Sequence, residues 1–313
     1  MIRYKVLLTF ALLCLGISSV FGQRPIYRAG AAYDVDCSKG QTITAALAAI
    51  TNGAIGGRAT LDIHGTCKEN VFIINLDRVT LIGHDGATIQ DPSNGENPTV
   101  AIFDSTVIDL QNLTINGGSD GVDCIDMSGC HLENDIVQNA VVDGLRVARS
   151  NAGTSNNTFQ NNGDRGVVVV NGAVMLSSQD TVSGNAFAGI LVSGSTLTAL
   201  TDTIQDNGSN GIRAINNATL RIGDMSITGN AANGISIESA STVLFSDGVG
   251  STISGNTGHG MVMLDQTNAA FSGLDQITGN QAQPDLFCNG IYWAATGVDT
   301  IGGTTNCVGG NKK

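Results

Sequence analysis

The chain has 313 residues, with 15 Lys+Arg against 27 Asp+Glu and a formal net charge of −12 at pH 7. An acidic protein is repelled by nucleic acid and by anionic membrane surfaces, so neither is expected as a partner. Charged residues are only 13% of the chain and glycines number 41, the bias of many short strands joined by tight turns.

The first 22 residues read as a signal peptide. Arg3 and Lys5 form a basic start, Val6 to Val20 is largely apolar, and Val20-Phe21-Gly22 is an acceptable cleavage exit. Cys14 follows Leu13, which is not the small residue a lipidation site prefers, and no other run is long and apolar enough to span a bilayer. Cleavage before Gln23 takes Lys+Arg from 15 to 13 and leaves a net charge of about −14. An exported protein of residues 23–313 is expected, and its phased Ile and Val argue against disorder.

Residues 38–52 are expected to hold the one helix. Within Thr42 to Ile50, Ile43, Ala46, Leu47 and Ile50 share a face, and the helix is placed as a cap over an open sheet edge. Short strands follow at Ala59 to Ile63, Val71 to Ile74, Val79 to Ile82, Ala87 to Ile89, Val100 to Phe103 and Val107 to Leu110.

From there one period takes over. Asn116, Asn139, Asn162, Asn185, Asn207, Asn230, Asn256 and Asn280 recur at steps of 23, 23, 23, 22, 23, 26 and 24 residues. An apolar residue stands three places before each: Leu113, Ile136, Phe159, Val182, Ile204, Ile227, Ile253 and Ile277. Seven are followed by a glycine that leads into a strand: Gly121, Gly144, Gly166, Gly189, Gly211, Gly234 and Gly260. Between them the side chains alternate with the strand period of two, as in Ser195 to Asn207. Units that cannot bury an apolar face alone must stack. The predicted fold is therefore all-β, a single elongated parallel β-helix with coils over 59–283 and a C-terminal cap over 284–313 that holds Tyr292 and Trp293. Eight coils would rise roughly 35–40 Å at the spacing of paired strands.

The period also phases the side chains. The first and third residues after each glycine should point inward: Val122 and Cys124, Leu145 and Val147, Val167 and Val169, Ile190 and Val192, Ile212 and Ala214, Ile235 and Ile237, Met261 and Met263. The eight asparagines are read as a structural ladder at turns, where Asn tolerates unusual dihedrals and stacked amides bond coil to coil. The glycines are read as sharp bends.

Six cysteines remain after cleavage: Cys37, Cys67, Cys124, Cys130, Cys288 and Cys307. An even count in an exported chain points to disulfides. Their placement favours 37–67, 124–130 and 288–307 among 15 possible pairings, with Cys124 alternatively a small buried residue.

This coil pattern resembles the right-handed parallel β-helix proteins of the pectin-lyase-like superfamily over about residues 35–290. The resemblance lies in the repeat, not in a catalytic signature; right-handedness follows from it and from the crossover rule. It implies an exported carbohydrate-interacting protein with a binding or structural role. Polysaccharide or cell-surface glycan is then the expected partner. The alternatives are a polysaccharide lyase or glycoside hydrolase acting on an acidic glycan, and an adhesion or assembly module that self-associates.

The densest charged constellation lies on two consecutive coils. Asp120, Asp123 and Asp126 are followed 23 residues later by Asp143, Arg146 and Arg149, with Arg165 on the third coil. Asp123, Arg146 and Arg149 are the catalytic candidates; Asp120, Asp126, Asp143 and Arg165 are the substrate-binding candidates. Pectate lyases resemble this in kind, with acids and an arginine on an outward strand face. An arginine could hold a substrate carboxylate bidentately, and the acids could take Ca²⁺. No cofactor is otherwise evident. The structural alternative, favoured on the alternation of sign, is a ladder of surface ion pairs.

Asp180 and Asp202 should lie roughly 5 Å apart along the axis, a retaining-glycosidase separation. With Gln111, Asn134, Asn157 and Asp275 they read instead as a polar outward column. Gly258-His259-Gly260 resembles a polygalacturonase motif whose acidic partners are missing. His64, His84 and His131 are isolated in sequence and read as turn or surface residues. Val168, Val170, Leu191, Ile215, Val262 and Leu264 fall on outward positions and should need a cover, more readily from the chain itself than from a second copy. No Thr-x-Thr recurs in every coil, which disfavours ice binding.

Overall fold

The computed structural model describes residues 30–52, 58–246, 248, 250–271, 274–289, 294–296 and 301–307. The expected signal peptide and the pair Tyr292 and Trp293 lie outside them. The described chain is a parallel β-solenoid of about 10 turns with one α-helix.

Each turn carries three short strands, for example Leu145–Ala148, Asn151–Ser155 and Thr158–Gln160. Each strand pairs in parallel with its counterparts one coil away, so Leu145 lies beside Val122 and Val167, and Ile204 beside Ile227. One side of the solenoid is a ten-stranded sheet running from Val71–Ile74 to Leu286–Asn289. The other 20 strands join into one continuous bent sheet.

All fourteen predicted inward positions are at most 1% exposed. A parallel sheet buried on its inner face wants β-branched and small residues there, which these columns supply. The helix runs Ile43–Asn52, with Ile43 and Leu47 buried against the first coils. Its open N-terminus is closed from a distance: the Glu69 carboxylate accepts the backbone N–H groups of Ile43 at 2.7 Å and Thr44 at 2.9 Å.

Three differences from the sequence reading concern elements. A strand at Ala31–Asp36 precedes the helix and pairs with Ala59–Lys68. The segments expected as 79–82 and 87–89 are one strand, Asp77–Gln90. The coil stack also continues past Pro284, because Leu286–Asn289 pairs in register with Met261–Leu264. The disulfides are Cys37–Cys67, Cys124–Cys130 and Cys288–Cys307.

The asparagine column is shorter than its spacing implied. Six form the buried ladder: Asn162, Asn185, Asn207, Asn230, Asn256 and Asn280. Each of the first five donates its side-chain amide to Oδ1 of the next at 2.9–3.0 Å. The same Oδ1 accepts the backbone N–H of the preceding asparagine, and Asp285 ends the run. Asn116 and Asn139 are not in it. Asn139 is bonded to Asn116 at 2.7 Å on the surface, and Ala140 occupies the ladder position instead, its N–H bound by Asn162. In that coil Val137 is therefore the inward residue and Ile136 is 39% exposed.

The left-handed backbone sits one place before the ladder asparagines, at Asn161, Gly184, Asp206, Gly229, Gly255 and Gly279, and in the two coils before them at Gly117 and at Asn139 itself, with φ between 55° and 86°. The repeated glycines before the strands are required for close approach. A Cβ on Gly189 would lie 2.7 Å from the Gly211 carbonyl oxygen and 2.8 Å from Asn207 Nδ2.

The two other corners have buried columns too. Ser105, Ser128, Ser150, Ser195 and Ser241 sit in one, and several hydroxyls accept the N–H of the previous coil. Leu113, Asp135, Asn157, Asp180 and Asp202 form the other. Backbone N–H groups of Leu113, Asp135, Asn157 and Asp180 are accepted in turn by the next side chain at 2.7–2.8 Å. Asp180 and Asp202 are each 1% exposed and Asp275 is fully buried. The expectation of an outward polar column is thus overturned: these carboxylates face inward at a turn, where they bind backbone N–H groups that no strand partner reaches. A glycosidase role for Asp180 and Asp202 goes with it.

Candidate functional site

The outward face of the ten-stranded sheet gathers the charged candidates. Asp123 projects from Val122–Ile125, and its register neighbour one coil on is Arg146, followed by Val168, Leu191 and Arg213. Asp120 and Asp143 lie on the turn leading into these strands, as does Arg165.

Asp123 is only 5% exposed, and its Oδ1 has no hydrogen-bond partner. Burial pushes its carboxyl up to about 7, and the Asp120 charge and a side-chain hydrogen bond to Asp120 push the same way. The Arg146 charge pulls against them. Arg146 forms no hydrogen bond or ion pair among the described residues, so the expected cross-strand pair exists as a register relationship without a salt bridge.

Asp143 is 3% exposed, and burial raises its carboxyl to about 6 despite the nearby Arg165 charge. Arg165 grips it with Nε on Oδ1 at 2.9 Å and Nη2 on Oδ2 at 3.3 Å, and reaches Asp164 at 2.8 Å. Asp120 Oδ1 accepts the Asp143 backbone N–H at 3.0 Å, which ties the two coils together. Asp126 and Arg149 pair as expected, Arg149 Nε lying 2.9 Å from Asp126 Oδ1. That pair sits exposed at the far turn and is a surface ion pair worth about 0–1 kcal/mol.

Next along the axis is a cleft of about 340 Å³ lined by Asp164, Arg165, Phe187, Leu191 and Arg213. Phe187 is 62% exposed. Arg213 is held by both carboxylate oxygens of Glu238 at 3.0 Å. The aromatic Phe187 lay outside the charge pattern that the sequence reading followed; its place beside Arg165 depends on coil stacking.

The acids do not close around a cation. Among the described residues, the group of three or more ligand atoms within 4.8 Å is Cys37, Cys67 and Glu69. There the cysteines are a disulfide and the glutamate caps the helix. Asp120 and Asp123 instead share a hydrogen bond, so the arrangement does not fit Ca²⁺ as it stands.

The remaining candidates are elsewhere. His259 stacks on Phe287 at 4.8 Å, and its Nδ1 is 2.7 Å from the Pro284 carbonyl. His64 and His84 are not isolated: their rings stack at 4.8 Å, with Asp34 and Asp62 beside them. Of the outward apolar residues, Val168 and Val262 are buried and Val170, Leu191, Ile215 and Leu264 half-buried.

Comparison with known proteins agrees with this architecture. A family model described as a right-handed beta helix region matches residues 98–249. The match is to right-handed parallel β-helix repeats, the fold that the described strands form. Similar solved structures include the A-module of Azotobacter vinelandii mannuronan C-5 epimerase AlgE6, with TM-score 0.56 and 14% identity over 86% of this chain and 92% of that one. A thermostable α-1,3-glucanase catalytic unit from Streptomyces thermodiastaticus gives TM-score 0.55 and 14% identity, covering 90% of this chain and 72% of that one. Pectate lyase Pel9A gives TM-score 0.50 and 12% identity, covering 88% and 79%. At these identities the likeness is one of fold. No curated protein matches the sequence.

Proposed function

We propose that this is an exported carbohydrate-binding β-helix whose glycan lies on the outward face of the ten-stranded sheet, from Asp123 to Arg213. The observation that carries this reading is the Asp123–Arg146 step: a buried carboxyl with one unpartnered oxygen beside a guanidinium that has no acid bound to it. Asp123 Oδ1 is itself closed to solvent, so the half-buried Arg146 guanidinium is the group that a sugar hydroxyl or carboxylate can reach. Phe187 adds an exposed ring at the cleft that follows. Three disulfides and structural neighbours that are carbohydrate-active enzymes support export and a glycan ligand. Polysaccharide from outside the cell is the partner, and nucleic acid is not. Among the described residues no helix is long and apolar enough to cross a membrane.

Turnover is the second reading, and one observation favours it. A carboxyl raised to about 7 can both give and accept a proton near neutral pH, as a lyase or hydrolase acting on an acidic glycan requires. Asp123 would then exchange the proton and Arg146 would hold the substrate anion. Self-association through apolar surface is the remaining alternative.

A panel of acidic and neutral polysaccharides, read for binding and for release of unsaturated uronides or reducing ends, tests these readings. Binding without products supports the first, and products lost in Asp123→Asn support the second. No binding to any member, with concentration-dependent self-association, sinks both.

A further inference from the structure

The first coils carry a second cleft, on the bent sheet and away from the glycan face. Strands Ala59–Lys68, Asp77–Gln90 and Thr106–Gln111 pair in parallel, with Ala59 beside Val79 and Val79 beside Ile108. Those three side chains are buried in the core, so the residues on either side of each point outward. Thr60, Thr80 and Asp109 stack in one outward column by register, and Arg58, Arg78 and Val107 stand one place before the core residues in another. Together they line a cleft of about 330 Å³, at the lower end of the range that small-ligand sites occupy.

The chemistry of the cleft changes across it. Arg78 Nη2 pairs with Asp77 Oδ2 at 2.7 Å, and Asp77 Oδ1 accepts the Thr106 hydroxyl at 2.8 Å. Arg58 is exposed, and its guanidinium has no hydrogen-bond or ion-pair partner among the described residues. One positive charge is therefore unmatched at that corner. Asp109 holds the opposite corner, where its Oδ2 accepts the Thr80 hydroxyl at 3.3 Å. A guanidinium only donates, a carboxylate only accepts, and the threonine hydroxyls between them do both. Val107, 54% exposed, adds an apolar wall. It stands at φ 56°, where a β-branched residue is disfavoured, so the fold gains neither burial nor backbone ease from valine there.

We infer that this cleft is a second binding site, for a sugar-sized polyhydroxylated monoanion such as a sugar acid. The ligand carboxylate meets Arg58, with Arg78 beside it, and its single charge complements the guanidinium that no acid has matched. Asp109 accepts a ligand hydroxyl at the far corner and repels a second anionic group. Thr60 and Thr80 bond the hydroxyls between, and a C–H face of the ligand lies on Val107. The site shares no residue with the Asp123–Arg146 face.

Calorimetric titration of D-glucuronate into the full chain carrying Arg146→Ala, which removes the central group of the proposed glycan face, tests the site. Saturable binding is expected. Glucose, which lacks the charge, and acetate, which lacks the hydroxyls, should bind at least about tenfold more weakly. Adding Arg58→Ala should weaken glucuronate by about tenfold or more, and adding Asp109→Asn should weaken it several-fold. Matching circular-dichroism melts verify that the variants are folded. Absence of saturable heat, equal affinity for glucose or acetate, or parental affinity in either double variant overturns the inference. Because Arg146 is absent throughout, failure of the glycan reading leaves this result standing.

Discussion

Asn207 gives its side-chain amide to Asn230 Oδ1 at 3.0 Å, and the same oxygen accepts the Asn207 backbone N–H at 3.2 Å. Each ladder asparagine thus satisfies two donors on the coil before it. Asn207 Nδ2 also reaches the Val182 carbonyl at 3.1 Å. Asn207→Ala leaves the backbone N–H and side-chain amide of Asn185 and the Val182 carbonyl without their partner, and should cost about 3 kcal/mol. Asn139→Ala, on the exposed neighbouring column, loses a surface hydrogen bond and the ease of Asn in left-handed backbone, and should cost about 1 kcal/mol. Urea denaturation of the two variants checks the contrast; equal costs would show that the buried column has no special role.

The inner acid column makes stability depend on pH in an unusual direction. Burial raises Asp202 to about 7 and Asp135 to about 8, and raises Asp180 as well. Their folded values lie above the ordinary 3.8, so the folded state holds protons that the unfolded chain releases. Their contribution is complete below about pH 4, declines as pH rises to about 8, and is flat above. The melting midpoint should therefore fall between pH 5 and 8, and Asp202→Asn should flatten part of that slope. Asp91, lowered to about 2 with hydrogen bonds from Ser93, Asn70 and Gly95 outweighing burial, acts oppositely below about pH 4. A midpoint that rises from pH 5 to 8 would contradict the protonated column.

Arg146→Ala should weaken glycan binding by about tenfold or more, the loss of one charge-assisted hydrogen bond. Its melt should be unchanged, because Arg146 bonds to no described residue. Asp123→Asn should keep the fold and should abolish product release if the site turns substrate over. Loss of binding accompanied by a collapsed melt in Arg146→Ala would assign it to structure instead.

Millimolar Ca²⁺ should leave the melt unchanged in the absence of glycan, because the acids of Asp120, Asp123 and Asp143 do not converge. A saturable rise that vanishes in Asp123→Asn would show that they close on the ion.

Removing the disulfides should rank by the loops they close. Cys37–Cys67, Cys288–Cys307 and Cys124–Cys130 span 30, 19 and 6 residues. Loop entropy then gives losses of about 3.6, 3.2 and 2.2 kcal/mol for the paired Cys→Ser variants. Chemical denaturation of the three double variants reads the order.

Much of the candidate site was legible in the sequence because Asp123 and Arg146 are one coil apart where coil length is regular. Their register survived into three dimensions, but the salt bridge did not form. Whether an arginine meets an acid depends on side-chain direction at the turn: Asp143 lies where Arg165 can grip it, and Asp123 is buried against Asp120. The slip at Asn139 has a related cause. A coil that is one residue shorter takes up the change in a turn, and spacing does not say on which side of the asparagine. Ile136, the apolar residue three places before Asn139, is accordingly exposed and Val137 packs in the core.

The sequence by itself determined the solenoid and the inward columns after the glycines, because alternation and period act locally and repeat many times; the third strand of each coil came with the structure. It also carried the disulfide partners, which the end-to-end order of a stacked chain keeps close. Only the tertiary structure decided which polar columns face inward, where the left-handed residues fall, and which charges meet. Those depend on how each corner turns, and a corner is a few residues whose backbone direction is set by the coils above and below it.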